Sequence, residues 1–407
     1  MLYRLHKSGF QAFLVGGGVR DALLGLHPKD FDIATNAHPE EIRSLFGNCR
    51  LIGRRFRLAH VRFGREIIEV ATFRATADHK DTEADVAHDH EGRILRDNVY
   101  GTIDEDVWRR DFTCNALYYN IADFSIWDYT DGVKDIERRR LVLIGDPEKR
   151  LREDPVRMLR AVRFAGKLDF KIDKSIEDVM PGLVDLLSNV PAARLFDEFL
   201  KLFQAGFAEK TFLLLRKYDL FGQLFPETNA ELDQSKPFER FVRAAMANTD
   251  KRVNSEQSVT PMFLIGVILW EPIRLLAEKI RSQEKMSDSH AIATAAYEIS
   301  AMQQQRISIP RRFTAPMREM LALQPRFSQM NGRRAMNLLE HRRFRAAYDF
   351  MILRAEVGGV PKEIASFWTD VQEQDANERN KTFGIDGNPQ GKKRKRRPRK
   401  RKAAAAN

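Results

Sequence analysis

Cysteine is scarce in this chain of 407 residues, in which Cys49 and Cys114 are the two cysteines. Two cysteines exclude a disulfide framework, and their separation does not match the ligand spacing of a structural zinc site. So low a thiol content suits a reducing compartment. The composition therefore predicts a cytoplasmic protein.

Long hydrophobic runs are also missing. The longest apolar segment, residues 261–270, is shorter than the roughly 20 residues that a helix needs to cross a bilayer. The first residues contain no apolar stretch typical of a signal peptide. We therefore expect no membrane span and no signal peptide. Because Thr260 and Pro261 form a helix-start pattern, the apolar segment is predicted to be a buried helix.

Acidic residues are absent from residues 392–402, where ten of eleven residues are lysine or arginine. The net charge of the chain is +11, so the remainder is nearly neutral. Such a basic segment cannot bury apolar surface and is predicted to be disordered. Its charge favours binding to RNA or DNA through their phosphates, although a solubilising or targeting tail has the same composition.

Strand and helix patterns alternate at the start of the chain and give way to helical periodicity from residue 148 onward. A polar segment, residues 76–93, interrupts the alternation and is predicted to be a flexible loop. The predicted strands are 12–15, 30–34, 58–63, 67–73, 126–128 and 141–143, and the predicted head helices include 19–24 and 39–46.

These patterns predict an α+β fold, in which a small mixed sheet with flanking helices is followed by an all-α body and a disordered basic tail. No internal repeat is present. The chain divides into four predicted regions: a head (1–145), a neck (146–240), a C-terminal body (241–375) and the tail (376–407).

Three consecutive glycines separate the first predicted strand from the first helix of the head. Gly16, Gly17 and Gly18 allow a ligand to approach the backbone closely, and amide groups at a helix start can bind phosphate. Arg20 lies where a cation opposes the helix dipole, which favours a position facing a triphosphate. The alternative is a tight turn without a ligand, because the glycines match no standard phosphate-loop pattern.

Two aspartates, Asp30 and Asp32, follow the glycines within the segment KDFDI. If this segment is a strand, both carboxylates share one face, and Phe31 and Ile33 point into the core on the other. Carboxylates this close repel each other unless a divalent cation lies between them. The pattern therefore favours a two-metal site for nucleotidyl transfer, and a solvent-facing acidic pair is the alternative.

Two further acids are candidates for the same site. Glu69 lies on a predicted strand face that also carries apolar residues, where a carboxylate is costly unless it is paired. Asp111 follows Arg109 and Arg110, which indicates an anionic ligand nearby. A helix N-cap is the alternative role for Asp111.

An arginine stripe marks the predicted helix over residues 152–164. Arg157, Arg160 and Arg163 recur every third residue, and arginine suits phosphates and base edges. Asp154 and Arg157 offer an acceptor and a donor one turn apart, which could match the edge of a base and select a nucleotide without a template. Ion pairs within and between helices are the alternative.

In this order and spacing, the segments GGGVRDALLG, KDFD, RRDFTCNAL and EDPVRMLRAVRF resemble the class II nucleotidyltransferases of the polymerase-β-like superfamily. That class contains bacterial poly(A) polymerases and CCA-adding tRNA nucleotidyltransferases. The segments over residues 51–61 and 341–357 and the basic tail resemble the poly(A) polymerases in particular. The head begins closer to the first residue than in some related enzymes.

The resemblance implies an enzyme that adds AMP from ATP to RNA 3′ ends and promotes RNA processing or decay. It implies Mg²⁺, or Mn²⁺ in its place, in a two-metal site, and protein partners of RNA decay that bind the tail. Asp30 and Asp32 would bind the metals and Asp111 would be the third catalytic carboxylate, with Glu69 as its rival. The implied nucleotide contacts are Gly17, Arg20, Arg110, Asp154, Arg157, Arg160 and Arg163.

Two other functions stay open. A CCA-adding enzyme shares every motif of the head, and a non-catalytic RNA-binding protein with a decayed head would share the fold. Intact acidic and arginine motifs argue against decay. A metal site formed by His79, His88 and His90 is disfavoured, because the predicted loop is too acidic and flexible to preform it.

Overall fold

The computed structural model describes residues 1–28, 30–53, 57–75 and 100–385, together with the backbone of residues 86–88 and 94–97. Strands concentrate in the head. They are β1 (Ala12–Val15), β2 (Asp32–Thr35), β3 (Cys49–Ile52), β4 (Leu58–Phe63), β5 (Glu66–Thr72), β6 (Val86–His88), β7 (Ile94–Asp97), β8 (Leu117–Asn120), β9 (Ile126–Asp128), β10 (Arg140–Leu141) and β11 (Lys171–Ile172).

The head is built on a seven-stranded mixed sheet with the order β3-β4-β5-β2-β1-β8-β9. β2 and β5 are parallel, whereas the other neighbours in this sheet are antiparallel. The sheet confirms the predicted α+β head. β6 and β7 form a separate antiparallel pair, so residues 86–88 of the predicted loop are a strand, and 76–85 and 89–93 lie outside the described residues.

Helices flank the sheet and then make up most of the remaining described chain. Those of the head are α1 (Leu2–Lys7), α2 (Gly17–Leu23), α3 (Pro39–Leu45), α4 (Ile103–Arg109) and α5 (Gly132–Glu137). Those of the neck and body are α6 (Pro147–Glu153), α7 (Val156–Leu168), α8 (Lys174–Val179), α9 (Ala192–Phe203), α10 (Ala208–Lys217), α11 (Leu220–Leu224), α12 (Pro226–Gln234), α13 (Lys236–Asn254), α14 (Pro261–Ile268), α15 (Trp270–Gln283), α16 (Asp288–Gln303), α17 (Arg311–Ala322), α18 (Gly332–Leu339), α19 (Phe344–Glu356), α20 (Lys362–Glu373) and α21 (Ala376–Thr382).

The predicted strand over residues 30–34 begins later in the structure and carries only one of the two aspartates, Asp32. β2 begins at Asp32, which pairs with Val15, the last residue of β1. Because the chain turns into α2 at Gly16, the residues before Asp32 have no partner on β1. Phe31 is consequently 47% exposed rather than buried, and its prediction is wrong, whereas Ile33 is buried as predicted.

A continuous apolar core joins the head to the helical part of the chain. It contains Phe112 of the head and extends through Leu159 and Val162 of α7 into the C-terminal helices. The arginine-bearing helix α7 is therefore packed against the head. α14 is buried in this core, as predicted. Among the described helices, none combines the length and apolar composition that a membrane crossing requires.

The predicted disordered tail begins too early. Asp375 caps α21 through hydrogen bonds from the backbone N–H groups of Asn377 and Glu378. After this helix, Phe383 is 1% exposed and lies 6.1 Å from the ring of Trp368. Burial of this ring holds residues 376–385 against α20, so the prediction of disorder is wrong for them. Residues 386–407, including the basic segment, lie outside the described residues.

Candidate active site

A cleft of about 680 Å³ opens between the head and the first helices of the neck. Its walls come from the glycine turn, the residues around Asp32, the segment before the first 3₁₀ helix (Thr113–Asn115), α7 and α9. The predicted catalytic and nucleotide-binding residues all line this cleft: Gly17, Arg20, Asp30, Asp32, Arg110, Asp111, Asp154, Arg157, Arg160 and Arg163. Glu69 does not line it. The cleft combines these acids with a larger number of basic side chains.

The glycine turn brings the start of α2 against the aspartates. Gly16 has a φ of +69°, which a residue with a side chain rarely adopts. A Cβ atom on Gly18 would lie 3.4 Å from the carbonyl oxygen of Asp30, which is an ordinary van der Waals distance, so the start of α2 lies directly beside this residue. Asp30 lines the same cleft although it precedes β2.

Asp32 has two acidic neighbours. In the parallel pairing of β2 with β5, Glu69 lies opposite Asp32. Desolvation, the carboxylate of Glu69 and that of Asp30 raise the pKa of Asp32, which the guanidinium of Arg110 partly opposes. Repulsion of this kind is what a bound divalent cation relieves, and aspartate oxygens suit Mg²⁺. Asp30 and Asp32 therefore fit the predicted metal ligands.

The described residues contain no ready-made group of three or more acidic, histidine or cysteine side chains arranged around a metal position. The carboxylate of Glu69 has Oε1 3.1 Å from His60 Nε2 and is half-exposed. As the partner of Asp32 on the adjacent strand, Glu69 shares its face of the sheet and is electrostatically coupled to it, although Glu69 does not line the cleft.

Asp111 is held by hydrogen bonds on both carboxylate oxygens. Its Oδ2 accepts from Arg160 Nε at 2.7 Å and also from Arg160 Nη2. Its Oδ1 accepts from the backbone N–H of Phe112 at 2.8 Å and from Asn115 Nδ2 at 3.2 Å. Although burial opposes the effect, Arg160 and these hydrogen bonds lower the pKa of Asp111 to about 2. The carboxylate is therefore an ionised anchor for Arg160.

The arginines of α7 differ in their partners. Arg157 donates to the carbonyl oxygen of Arg150 and, at 3.1 Å, to Glu153. Arg163 has a buried Nε without a hydrogen-bond partner, and its guanidinium lies 4.5 Å from the ring centre of Phe164. Burial and the nearby Arg160 lower the pKa of Arg163 to about 10. A buried cation of this kind favours an anionic ligand in the cleft.

Arg20 and Arg110 are held by ionic and polar partners. Arg20 is 2% exposed and donates to Asp21 Oδ1 at 2.5 Å and to Asn115 Oδ1. Arg110 donates to Asp106 at 3.0 Å and to the hydroxyl of Tyr118 at 2.7 Å. Burial lowers the pKa of Arg110, but the carboxylate of Asp106 raises it by more, so the pKa lies above its ordinary value. Both guanidinium groups are thus fixed in orientation at the cleft wall.

The wall formed by α9 was not predicted from the sequence. Arg194 donates to Asp154 Oδ2 at 2.7 Å, so the predicted base-reading acid has a partner from another helix. Glu198 is 4% exposed; its Oε1 accepts from Lys201, whereas its Oε2 has no partner. The spacing of polar residues along α9 is helical and could have predicted this wall from the sequence. These residues are Arg194, Asp197, Glu198 and Lys201.

Comparison with known families gives three matches along the chain. The poly A polymerase head domain matches residues 12–142, the probable RNA and SrmB-binding site of polymerase A matches 169–232, and the polymerase A arginine-rich C-terminus matches 284–402. The matches follow the order head, neck and C-terminal part.

Individual relatives agree with these matches. Poly(A) polymerase I of Escherichia coli O6:H1 is 46% identical over 98% of this chain and 88% of its own length. A CCA-adding enzyme of Lactobacillus helveticus is 38% identical over 50% of this chain and 48% of its own length. A solved structure of a CCA-adding enzyme in an apo form has a TM-score of 0.62 at 20% identity, covering 90% of this chain and 80% of that one, which shows a shared fold.

Proposed function

This chain belongs to the family of bacterial poly(A) polymerases and is an enzyme of that kind, and on this premise we propose that it adds AMP from ATP to RNA 3′ ends without a template. The supporting observation is the cleft in which Asp30 and Asp32 meet the arginines of α7 and Arg110. A cleft lined by both carboxylates and guanidinium groups suits a metal-bound triphosphate. The product is RNA with an AMP-extended 3′ end, which would promote processing or decay.

The arginines are proposed to bind the triphosphate of ATP. Arg163 has a buried nitrogen available, whereas Asp111 orients Arg160 and Asp106 orients Arg110. Fixed guanidinium groups stabilise charge that develops on the phosphates without reorganising during the reaction. Gly17 and Arg20 would complete this wall at the start of α2.

Asp154 and Arg157 are proposed to read the adenine base. Arg194 holds Asp154, and Glu153 holds Arg157, so both side chains are fixed before ATP binds. A pair of one acceptor and one donor recognises the hydrogen-bonding edge of a base. Selection of ATP then needs no template strand.

Asp30 and Asp32 are proposed to hold the divalent cations, with Mg²⁺ as the preferred ion. When bound, Mg²⁺ would supply the Lewis acidity that activates the RNA 3′-hydroxyl and offsets charge on the pyrophosphate. Asp111 is proposed to be the third catalytic carboxylate and also to orient Arg160. The RNA itself is held through its phosphates by the helical body and the basic segment at 392–402.

CCA addition is the second candidate, because the Lactobacillus helveticus relative is a CCA-adding enzyme and matches half of this chain. The test is to incubate the pure protein with generic RNA and each nucleoside triphosphate separately, and with a tRNA lacking its 3′ end. We expect long tails from ATP alone. Addition of two cytidines and one adenosine to the tRNA, with no extension of generic RNA, would support the other candidate. Asp30→Ala and Asp32→Ala should both abolish AMP incorporation while retaining RNA binding.

A further inference from the structure

A second groove, of about 430 Å³, lies on the C-terminal body between α16 and α17. We call it the Tyr297 groove; its lining includes Tyr297, Gln304, Ile309, Arg311, Thr314 and Arg318. No aspartate or glutamate is among the described residues that line it. It therefore differs from the active-site cleft, whose walls mix both signs of charge.

The groove presents an aromatic face beside cations. Tyr297 is 62% exposed, and the guanidinium carbon of Arg318 lies 5.2 Å from the centre of its ring. Neither Arg311 nor Arg318 forms an ion pair with any residue that the structure describes. Exposed aromatic rings next to unpaired arginines are the two elements with which proteins bind single-stranded nucleic acid without reading its sequence.

The groove is connected to the active-site cleft through α9. The backbone N–H of Ser308 donates to the carbonyl of Ala192 at 3.0 Å, and the ring of Phe313 lies 5.8 Å from that of Phe196. Ile309 lines the groove, and Arg194, two residues beyond Ala192, lines the cleft. Three Cα–Cα steps and the hydrogen bond between Ser308 and Ala192 connect Ile309 with Arg194. At about 3.8 Å per step, this path is about 15 Å long.

We propose that the Tyr297 groove binds single-stranded RNA upstream of the 3′ end that occupies the cleft, with Tyr297 stacking on a base and Arg311 and Arg318 contacting phosphates. The proposal rests on the proposed function, since it takes the RNA 3′ end to lie in the cleft. A groove in this position contacts a long primer, whereas a very short primer in the cleft does not reach it. It adds affinity without sequence preference, because each base offers a ring face.

The test compares Tyr297→Ala and Arg318→Ala with wild type, using fluorescently labelled oligoadenylates of about 4 and about 16 nucleotides. Affinities are measured by anisotropy without ATP, so the result does not depend on catalysis. Tyr297→Ala should raise the Kd for the long oligonucleotide by about 5- to 150-fold, the effect of losing one base stack, and leave the Kd for the short one unchanged. Arg318→Ala should reduce the slope of log K against log salt by about 0.7.

Controls separate binding from folding. Tyr297→Phe keeps the ring and should retain wild-type affinity. Tyr3→Ala removes a tyrosine that is 56% exposed on the head, and Arg334→Ala removes an exposed arginine of α18; neither should change the Kd. In the ATP reaction, Tyr297→Ala should raise the KM for the long primer and keep kcat. Equal affinities of Tyr297→Ala and wild type for the long oligonucleotide, or an equal loss for both lengths, would overturn the proposal.

If wild type binds RNA but incorporates no AMP, the proposed function fails while the groove can still be judged from the Kd values. If AMP incorporation is normal and Tyr297→Ala leaves the KM for the long primer unchanged, the proposal for the groove is wrong and the proposed function is retained. A groove that instead binds a protein would give unchanged RNA affinities in every variant, which also overturns the proposal.

Discussion

Replacing Asp111 with asparagine tests whether this carboxylate anchors Arg160. The side chains of Asp111 and Arg160 are 11% and 31% exposed. The contacts lower the pKa of Asp111 from its ordinary 3.8 to about 2. This difference corresponds to about 2.5 kcal/mol of stability at neutral pH. Breaking a fully buried pair costs about 3–5 kcal/mol. Because Arg160 is partly exposed, we expect Asp111→Asn to lower the free energy of unfolding by about 2.5 kcal/mol at neutral pH.

The pH dependence has a definite sign. Because the pKa of Asp111 is lower in the folded state, its contribution is present above pH 3.8 and is lost as the pH falls towards 2. The gap between wild type and Asp111→Asn should therefore stay constant from pH 7 to about 5 and shrink by about half at about pH 3. The measurement is the free energy of unfolding from urea titrations across this range.

The matched control is Glu148→Gln. It breaks the pair between Arg152 and Glu148, whose side chains are 54% and 53% exposed, and should cost less than about 0.5 kcal/mol. If Asp111→Asn costs no more than this control, Asp111 is not the anchor of Arg160. Loss of AMP incorporation with unchanged stability would instead identify Asp111 as a direct ligand of the metal or substrate.

Three further predictions concern other parts of the chain. Arg163→Leu should raise the KM for ATP by about 30-fold, because one hydrogen bond to a charged group is lost, and should not destabilise the fold. An unchanged KM would contradict the proposed contact between Arg163 and the triphosphate. Gly16→Ala, at φ +69° and ψ −130°, should destabilise the fold by about 1–3 kcal/mol and impair AMP incorporation. Gly25→Ala, at a φ of +70° in open space, should leave activity intact. Truncation after Ile385 should weaken RNA binding and keep stability, but removal of Phe383 as well should lower the unfolding midpoint; equal midpoints would contradict its packing role.

Local sequence patterns were sufficient for most of the head. Strands over 12–15, 58–63 and 126–128 have the predicted bounds, because a short run rich in apolar residues is recognisable from consecutive residues. The same holds for the arginine stripe of α7, whose period follows from helical geometry. The order of the motifs also predicted the family, and the comparisons confirmed it.

Other features depended on partners that are distant in the sequence. The first residue of β2 depends on where β1 ends, because Asp32 pairs with the last residue of β1. The sequence pattern does not contain this information, so the exposure of Phe31 was not predicted. The helix at 376–382 was missed because its order depends on burial of Phe383 rather than on its own periodicity.

The sequence by itself determined which residue types meet at the site: glycines, two aspartates and a row of arginines. Only the tertiary structure decided their partners. It paired Asp111 with Arg160, which lies 49 residues away, and brought α9 across the cleft so that Arg194 meets Asp154. Periodicity reflects interactions between near neighbours, whereas ion pairing and burial depend on distances that exist only after the chain has packed.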